Sequence, residues 1–121
     1  MRISLWAMIS LLPSLFAGAG AAETACKSIW IPDIKSVAGK WEGTAQINGA
    51  GTLAVSMTIN SDGTFVGTST GTVKLVDGQL RFASRTTGKT GTETLQECNG
   101  EKRLFTMTDD GAISSELRPA Q

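Results

Sequence analysis

The chain has no histidine and no tyrosine, three prolines, two cysteines, and no excess of either charge, with eleven basic residues against eleven acidic ones. Each shortage closes off a class of function. Without histidine, the commonest general base, the usual zinc ligand and the Ser-His-Asp arrangement are all missing. Without a basic surplus there is no electrostatic footprint for nucleic acid or anionic lipid. The cluster Glu101-Lys102-Arg103 is mixed in sign and reads as a solvated turn. No glycine-rich loop precedes a helix, so there is no phosphate cradle, and the spaced aspartates of a calcium loop are absent. No metal and no cofactor are expected. No stretch sustains helical periodicity.

The longest apolar run stands at the N-terminus. Met1-Arg2 supplies a short positive segment, Ile3 to Phe16 is apolar apart from Ser4, Ser10, Pro13 and Ser14, and residues 17–22 are all alanine or glycine. This is the pattern of a signal peptide over residues 1–22, cleaved after Ala21 or Ala22. The run is too short for a transmembrane helix, which needs about 20 residues. A charged residue, Glu23, stands three positions before Cys26 and argues against lipidation there. A periplasmic or secreted location is expected, with no membrane insertion after cleavage. In an oxidising compartment Cys26 and Cys98 pair by default, and their wide separation is unlike a Cys-x-x-Cys redox motif. Closing so long a loop stabilises by about 4 kcal/mol in the chain-entropy picture.

Beyond residue 39 the chain is a series of short β-runs and turn signals. Lys40 to Ile47 alternates around Trp41, Gly43 and Ala45. Leu53, Val55, Met57 and Ile59 alternate strictly with small or hydroxylated residues, the clearest strand in the chain. Further runs lie at Thr64–Thr70, Thr72–Val76, Leu80–Ser84, Thr92–Cys98, Lys102–Thr108 and Ala112–Leu117. Asp62-Gly63, Asp77-Gly78 and Asn99-Gly100 are hairpin signals, because their residues tolerate positive φ. The sequence therefore predicts an all-β fold of eight strands in an antiparallel up-and-down meander. Closure into a small barrel removes the unpaired edges of such a meander. The division is a leader at 1–22, a strap at 23–39 and a barrel domain at 40–121.

The strap carries Ile29-Trp30-Ile31-Pro32, with Asp33 to Ala38 able to form one helical turn. It is expected to lie across one end of the barrel, pinned through Cys26 to the Cys98 turn. Trp30 is expected to be buried there. In the alternative, Ile29, Trp30 and Ile31 form an exposed anchor for a protein partner, since tryptophan is enriched at hot spots.

Catalysis is not expected. Asp62, Asp77, Asp109 and Asp110 occupy turn positions, where aspartate ordinarily bonds the local backbone. Glu93 and Glu97 flank Leu95 and share its strand face, and a twist or bulge is expected to carry them to the barrel rim. Serine and threonine are plentiful, but a hydroxyl without a base is a poor nucleophile. Lys40, Lys74, Lys89 and Lys102 fall beside turns or on outward positions, where solvent keeps them charged.

Gly39-Lys40-Trp41 after a short helical turn, together with Arg118 closing the last strand, resembles the lipocalin and avidin-like barrels of the calycin superfamily. The resemblance implies that Trp41 plugs the closed end and that Arg118 packs across its indole, worth about 0.5–2 kcal/mol. The Thr-Asp-Tyr motif and trailing helix of the longer members are not evident, so a deep lipocalin-style cavity is not implied. In size, export and single disulfide the chain also resembles small periplasmic protease inhibitors.

Two non-catalytic functions are compatible with these features. The first is a barrel binding a small apolar ligand through the inward positions Ala45, Met57, Phe65, Ser69, Phe82 and Ser84. The second is a protein-binding module, such as a protease inhibitor or an accessory subunit, acting through the strap. An open cavity of about 300 Å³ or more marks the first. A filled core with exposed apolar strap residues marks the second.

Overall fold

The computed structural model describes residues 25–120, and the predicted leader lies outside them. Strand β1 spans Cys26–Ile29 and is followed by a single 3₁₀ turn at Ile34–Val37. The remaining strands are β2 Gly39–Ile47, β3 Gly51–Ile59, β4 Thr64–Gly67, β5 Gly71–Val76, β6 Gln79–Ser84, β7 Thr90–Cys98, β8 Glu101–Thr108 and β9 Ile113–Pro119.

Each strand from β2 to β9 pairs antiparallel with its chain neighbours, and β9 returns to pair with β2. The predicted eight-strand meander is therefore a closed barrel. Two tight turns keep its register. Asp77 and Gly78 take φ of 51° and 78°, and Asn99 and Gly100 take 52° and 84°. These are the left-handed conformations that a two-residue hairpin of right-twisted strands requires. Asp62-Gly63 turns differently: only Gly63 has positive φ, at 92°, and Asp62 Oδ1 accepts from the Thr64 amide at 2.9 Å.

Side-chain alternation builds the core. Ile59, Phe65, Val73, Leu80, Leu95, Leu104 and Leu117 face inward and fill one end of the barrel with Trp41. Strand β1 lies on the part of β7 that β6 leaves unpaired, with Cys26 opposite Cys98 and Ile29 opposite Leu95. The Cys26–Cys98 disulfide fixes it there. The chain then crosses the end of the barrel: the Ile31 amide donates to the Gly78 carbonyl at 2.9 Å, and Ile31 and Val37 seal the core. Asp33 caps the 3₁₀ turn by accepting from the Ser36 amide at 2.8 Å. The strap is thus a ninth strand followed by a plug.

Two expectations for this end fail. Trp30 is 68 % exposed, not buried. The strap alternates, so Ile29 and Ile31 take the inward positions and Trp30 is turned out, with its ring lying on the Gly78 backbone. A side chain at Gly78 would occupy the volume of that ring. Arg118 does not pack across Trp41 either. It stands opposite Glu42 on β2 and is exposed, while its neighbour Leu117 is the inward residue. Adjacent strand residues point to opposite faces, so Leu117 and Arg118 cannot both enter the barrel. Trp41 is 5 % exposed and is held instead by its own indole N–H, which donates to the Val37 carbonyl at 2.9 Å.

Candidate functional site

The barrel interior has two halves. At the end closed by the strap, the inward residues are large and apolar. Toward the other end the inward positions become small or hydroxylated: Ala45 on β2, Ser84 on β6, Thr106 and Thr108 on β8, and Ser115 on β9. These side chains are too small to meet across the barrel. A cavity of about 130 Å³ remains and opens at the end formed by the β2–β3, β6–β7 and β8–β9 turns. Between β4 and β5 only two residue pairs are in register, Thr64 with Thr72 and Phe65 with Gly71. Segment 68–70 bridges the gap, with the Thr68 amide on the Ser56 carbonyl at 2.9 Å and the Arg85 amide on the Thr70 carbonyl at 2.7 Å. This bridge brings Ser69 to the cavity wall.

All six residues named from the sequence as inward candidates, Ala45, Met57, Phe65, Ser69, Phe82 and Ser84, line this one cavity. Phe82 depends on Gly91, its register partner on β7. A Cβ there would collide with the Phe82 ring and with the Met107 carbonyl.

Glu93, expected at the rim, is instead part of the cavity wall and 2 % exposed. Its inward position comes from the unbroken alternation Gly91, Glu93, Leu95, with no bulge to divert it. It stands between Leu80 of β6 and Thr106 of β8. One carboxyl oxygen, Oε1, is buried without a hydrogen-bond partner. The hydroxyls around it are engaged with each other: Ser69 with Ser84 at 2.7 Å, and Thr106 with Ser115. Ser84 Oγ also accepts from the Thr87 amide at 3.1 Å. Burial pushes the Glu93 carboxyl up to about 8, so it carries its proton at neutral pH. An unpaired buried carboxylate is avoided in this way, by neutralisation.

The remaining carboxylates near this end work on the outside. Arg81 clasps Asp109 with two bonds, at 2.8 and 2.7 Å. Lys89 pairs with Asp110 at 2.6 Å. The Arg81 guanidinium and the Thr90 hydroxyl hold the Asp109 carboxyl well below the usual carboxylate range. Lys89, the Ala112 amide and the Thr108 hydroxyl do the same for Asp110. These pairs tie the β8–β9 turn to β6 and to the β6–β7 loop at the cavity mouth. Among the described residues no three acidic or cysteine side chains come together in a way that would hold a metal.

Of the strap anchor, Trp30 alone is exposed, with its ring resting on the Gly78 backbone; Ile29 is half-buried and Ile31 is completely buried. Compared with protein families, with curated proteins and with solved structures, the chain matches none. Any functional conclusion therefore rests on the geometry of the barrel.

Proposed function

We propose that this protein is an exported, non-catalytic binding barrel, a small calycin-like calyx whose open half holds a small and predominantly apolar molecule. One observation carries the proposal: the barrel is packed to completion at one end and left open at the other, over a buried carboxyl group with an unused oxygen. An eight-stranded barrel is narrow enough for side chains to fill, and protein interiors ordinarily are filled. A hollow half lined by Met57, Phe65 and Phe82 stands out against that expectation.

The cavity sets the scale of the ligand. At about 130 Å³ it does not reach the roughly 300 Å³ expected of a ligand-binding barrel, so the ligand proposed is smaller than a drug-sized molecule and only partly enclosed. An apolar cavity of about 150 Å³ accepts benzene. A ligand of one ring or a short chain fits, with room for a tail to leave through the mouth. The Cys26–Cys98 disulfide fits an oxidising, exported location. The non-catalytic part of the proposal rests on Glu93 having no second titratable side chain among the cavity-lining residues to exchange a proton with.

The exposure of Trp30 favours the second function, docking to another protein as an inhibitor or accessory subunit. Burial of Ile31 and partial burial of Ile29 reduce that anchor to a single ring, whereas a stable interface takes about 800 Å² per partner. Titration with toluene, followed by ¹H–¹⁵N correlation spectra, separates the two. The calyx predicts shifts at Ala45, Ser84, Glu93 and Ser115. Spectra unchanged at saturating toluene would contradict it.

A further inference from the structure

We infer that the molecule held in the calyx carries an amino group, bound as an ammonium ion against the carboxylate of Glu93. The inference rests on the calyx proposed above and identifies the chemical class of its ligand.

Glu93 is 2 % exposed, lines the cavity, and keeps Oε1 free of any partner. The nearby hydroxyls pair among themselves, Ser69 with Ser84 and Thr106 with Ser115. Among the described residues lining the site, the carboxyl is the one with a fully buried atom that has no hydrogen-bond partner. A wholly apolar ligand would leave it so, and an unsatisfied buried oxygen costs about 1–3 kcal/mol. An anionic ligand finds no counter-charge among the cavity-lining residues. From β6 the inward neighbours of Glu93 are Leu80 and Phe82, from β8 Leu104 and Thr106, and from β2, β3, β4 and β9 the facing residues are uncharged. On β7 itself, Glu97 shares its face but lies toward the closed end. Of the charged groups near the mouth, Lys89, Asp109 and Asp110 are paired with one another or with Arg81 on the outside, and Arg85, on the β6–β7 loop beside Ser84, is exposed to solvent and is not among the cavity-lining residues.

A cation meets every one of these conditions. It supplies the charge that lets the carboxyl ionise without being left alone. Its N–H groups can reach both the carboxylate and a lone pair of a neighbouring hydroxyl such as Thr106. The Phe82 ring beside Gly91 offers an aromatic surface that tolerates a cation. Because Glu93 holds its proton in the barrel at neutral pH, binding is an exchange: the ammonium ion enters, the carboxyl oxygen–hydrogen bond breaks, and one proton leaves to solvent. Apparent affinity for the amine accordingly rises with pH until Glu93 ionises unaided, and falls once the amine loses its own proton and the ammonium fraction shrinks.

The test uses ¹³C-labelled protein and four probes of one shape: benzylamine, benzyl alcohol, toluene and benzoate. The Glu93 ¹³Cδ resonance is followed from pH 5 to pH 10 with and without each probe. Benzylamine should lower the Glu93 midpoint by about one pH unit or more, and bind about tenfold more tightly than toluene at pH 8. Benzoate should not bind. Glu93→Gln should lose the preference for benzylamine while still taking up toluene; the wild-type resonance decides the matter even if that variant does not fold. Toluene or benzyl alcohol binding as well as benzylamine, with the Glu93 midpoint unmoved, would overturn the amine assignment and leave the calyx standing. Binding of no probe would overturn both.

Discussion

Glu93 on β7 and Thr106 on β8 are register partners inside the barrel, yet the threonine hydroxyl is bonded to Ser115 and the carboxyl oxygen Oε1 is left without a partner. The barrel thus stores a polar group that its own fold does not satisfy. Such an arrangement opposes stability, because a buried polar atom without a partner costs about 1–3 kcal/mol.

Glu93 gives stability a definite pH dependence. Its carboxyl sits at about 8 in the folded barrel, against an ordinary value near 4.5. For a raised carboxyl the unfolded chain releases its proton first. The contribution to stability is greatest below pH 4.5, declines between about 4.5 and 8, and is constant above that. The slope is about 1.4 kcal/mol per pH unit at most. Thermal melts at pH 5, 6.5, 8 and 9 should show Glu93→Gln gaining on the parent as pH rises. A parallel pair of curves would mean that Glu93 is ionised throughout.

Trp41 and Arg118 should behave oppositely. Trp41→Ala removes a buried indole and is expected to cost about 3–5 kcal/mol. Trp41→Phe loses the bond to the Val37 carbonyl and should cost about 1 kcal/mol or somewhat more. Arg118→Ala, on the exposed face opposite Glu42, should stay within about 0.5 kcal/mol. Denaturant unfolding of the three variants measures all of this. A large loss in Arg118→Ala would restore the guanidinium-on-indole arrangement that the register contradicts.

Much of this was legible in the sequence, and for one reason. A strand alternates with period two, so Leu53 to Ile59 and Leu80 to Ser84 declare their faces, and the turns at Asp77-Gly78 and Asn99-Gly100 fix where each strand reverses. The same rule, applied strictly, also locates the misses. Glu93 shares the parity of Leu95 and belongs inside. The twist or bulge expected to carry it to the rim does not occur, and a carboxyl that keeps its proton avoids most of the cost of burial. Arg118 comes directly after an inward Leu117 and belongs outside. Strand β1 escaped notice because four residues including an exposed lysine carry no pattern; the disulfide and the unpaired edge of β7 make it a strand. The hollow was less legible, because free volume depends on which side chains face one another across the barrel, and that is a property of closure.

The disulfide closes a sequence separation of 72 residues. Replacing Cys26 and Cys98 together by serine should cost about 4 kcal/mol or less. Because β1 rests mainly on β7, the loss should be local first. Amide exchange should quicken over 26–31 before it does in β2 or β9. Uniform acceleration throughout the barrel would show that β1 is integral to closure.

Gly91 is the position that keeps Phe82 at the wall. Gly91→Ala drives a methyl group into the Phe82 ring and the Met107 carbonyl. We expect a destabilisation of about 1–3 kcal/mol from overpacking, and weaker toluene uptake as the ring is displaced into the hollow. Calorimetry and the toluene titration read the two effects separately. Unchanged stability would mean that the β7–β8 pair spreads without cost.

The hollow half of the barrel is tested most directly by diffraction from crystals pressurised with xenon. A xenon atom should appear inside the barrel, among Ala45, Met57 and Phe82 and above the Glu93 carboxyl. Xenon bound against Trp30 alone, with the rings of Phe65 and Phe82 closed over the space, would contradict the calyx.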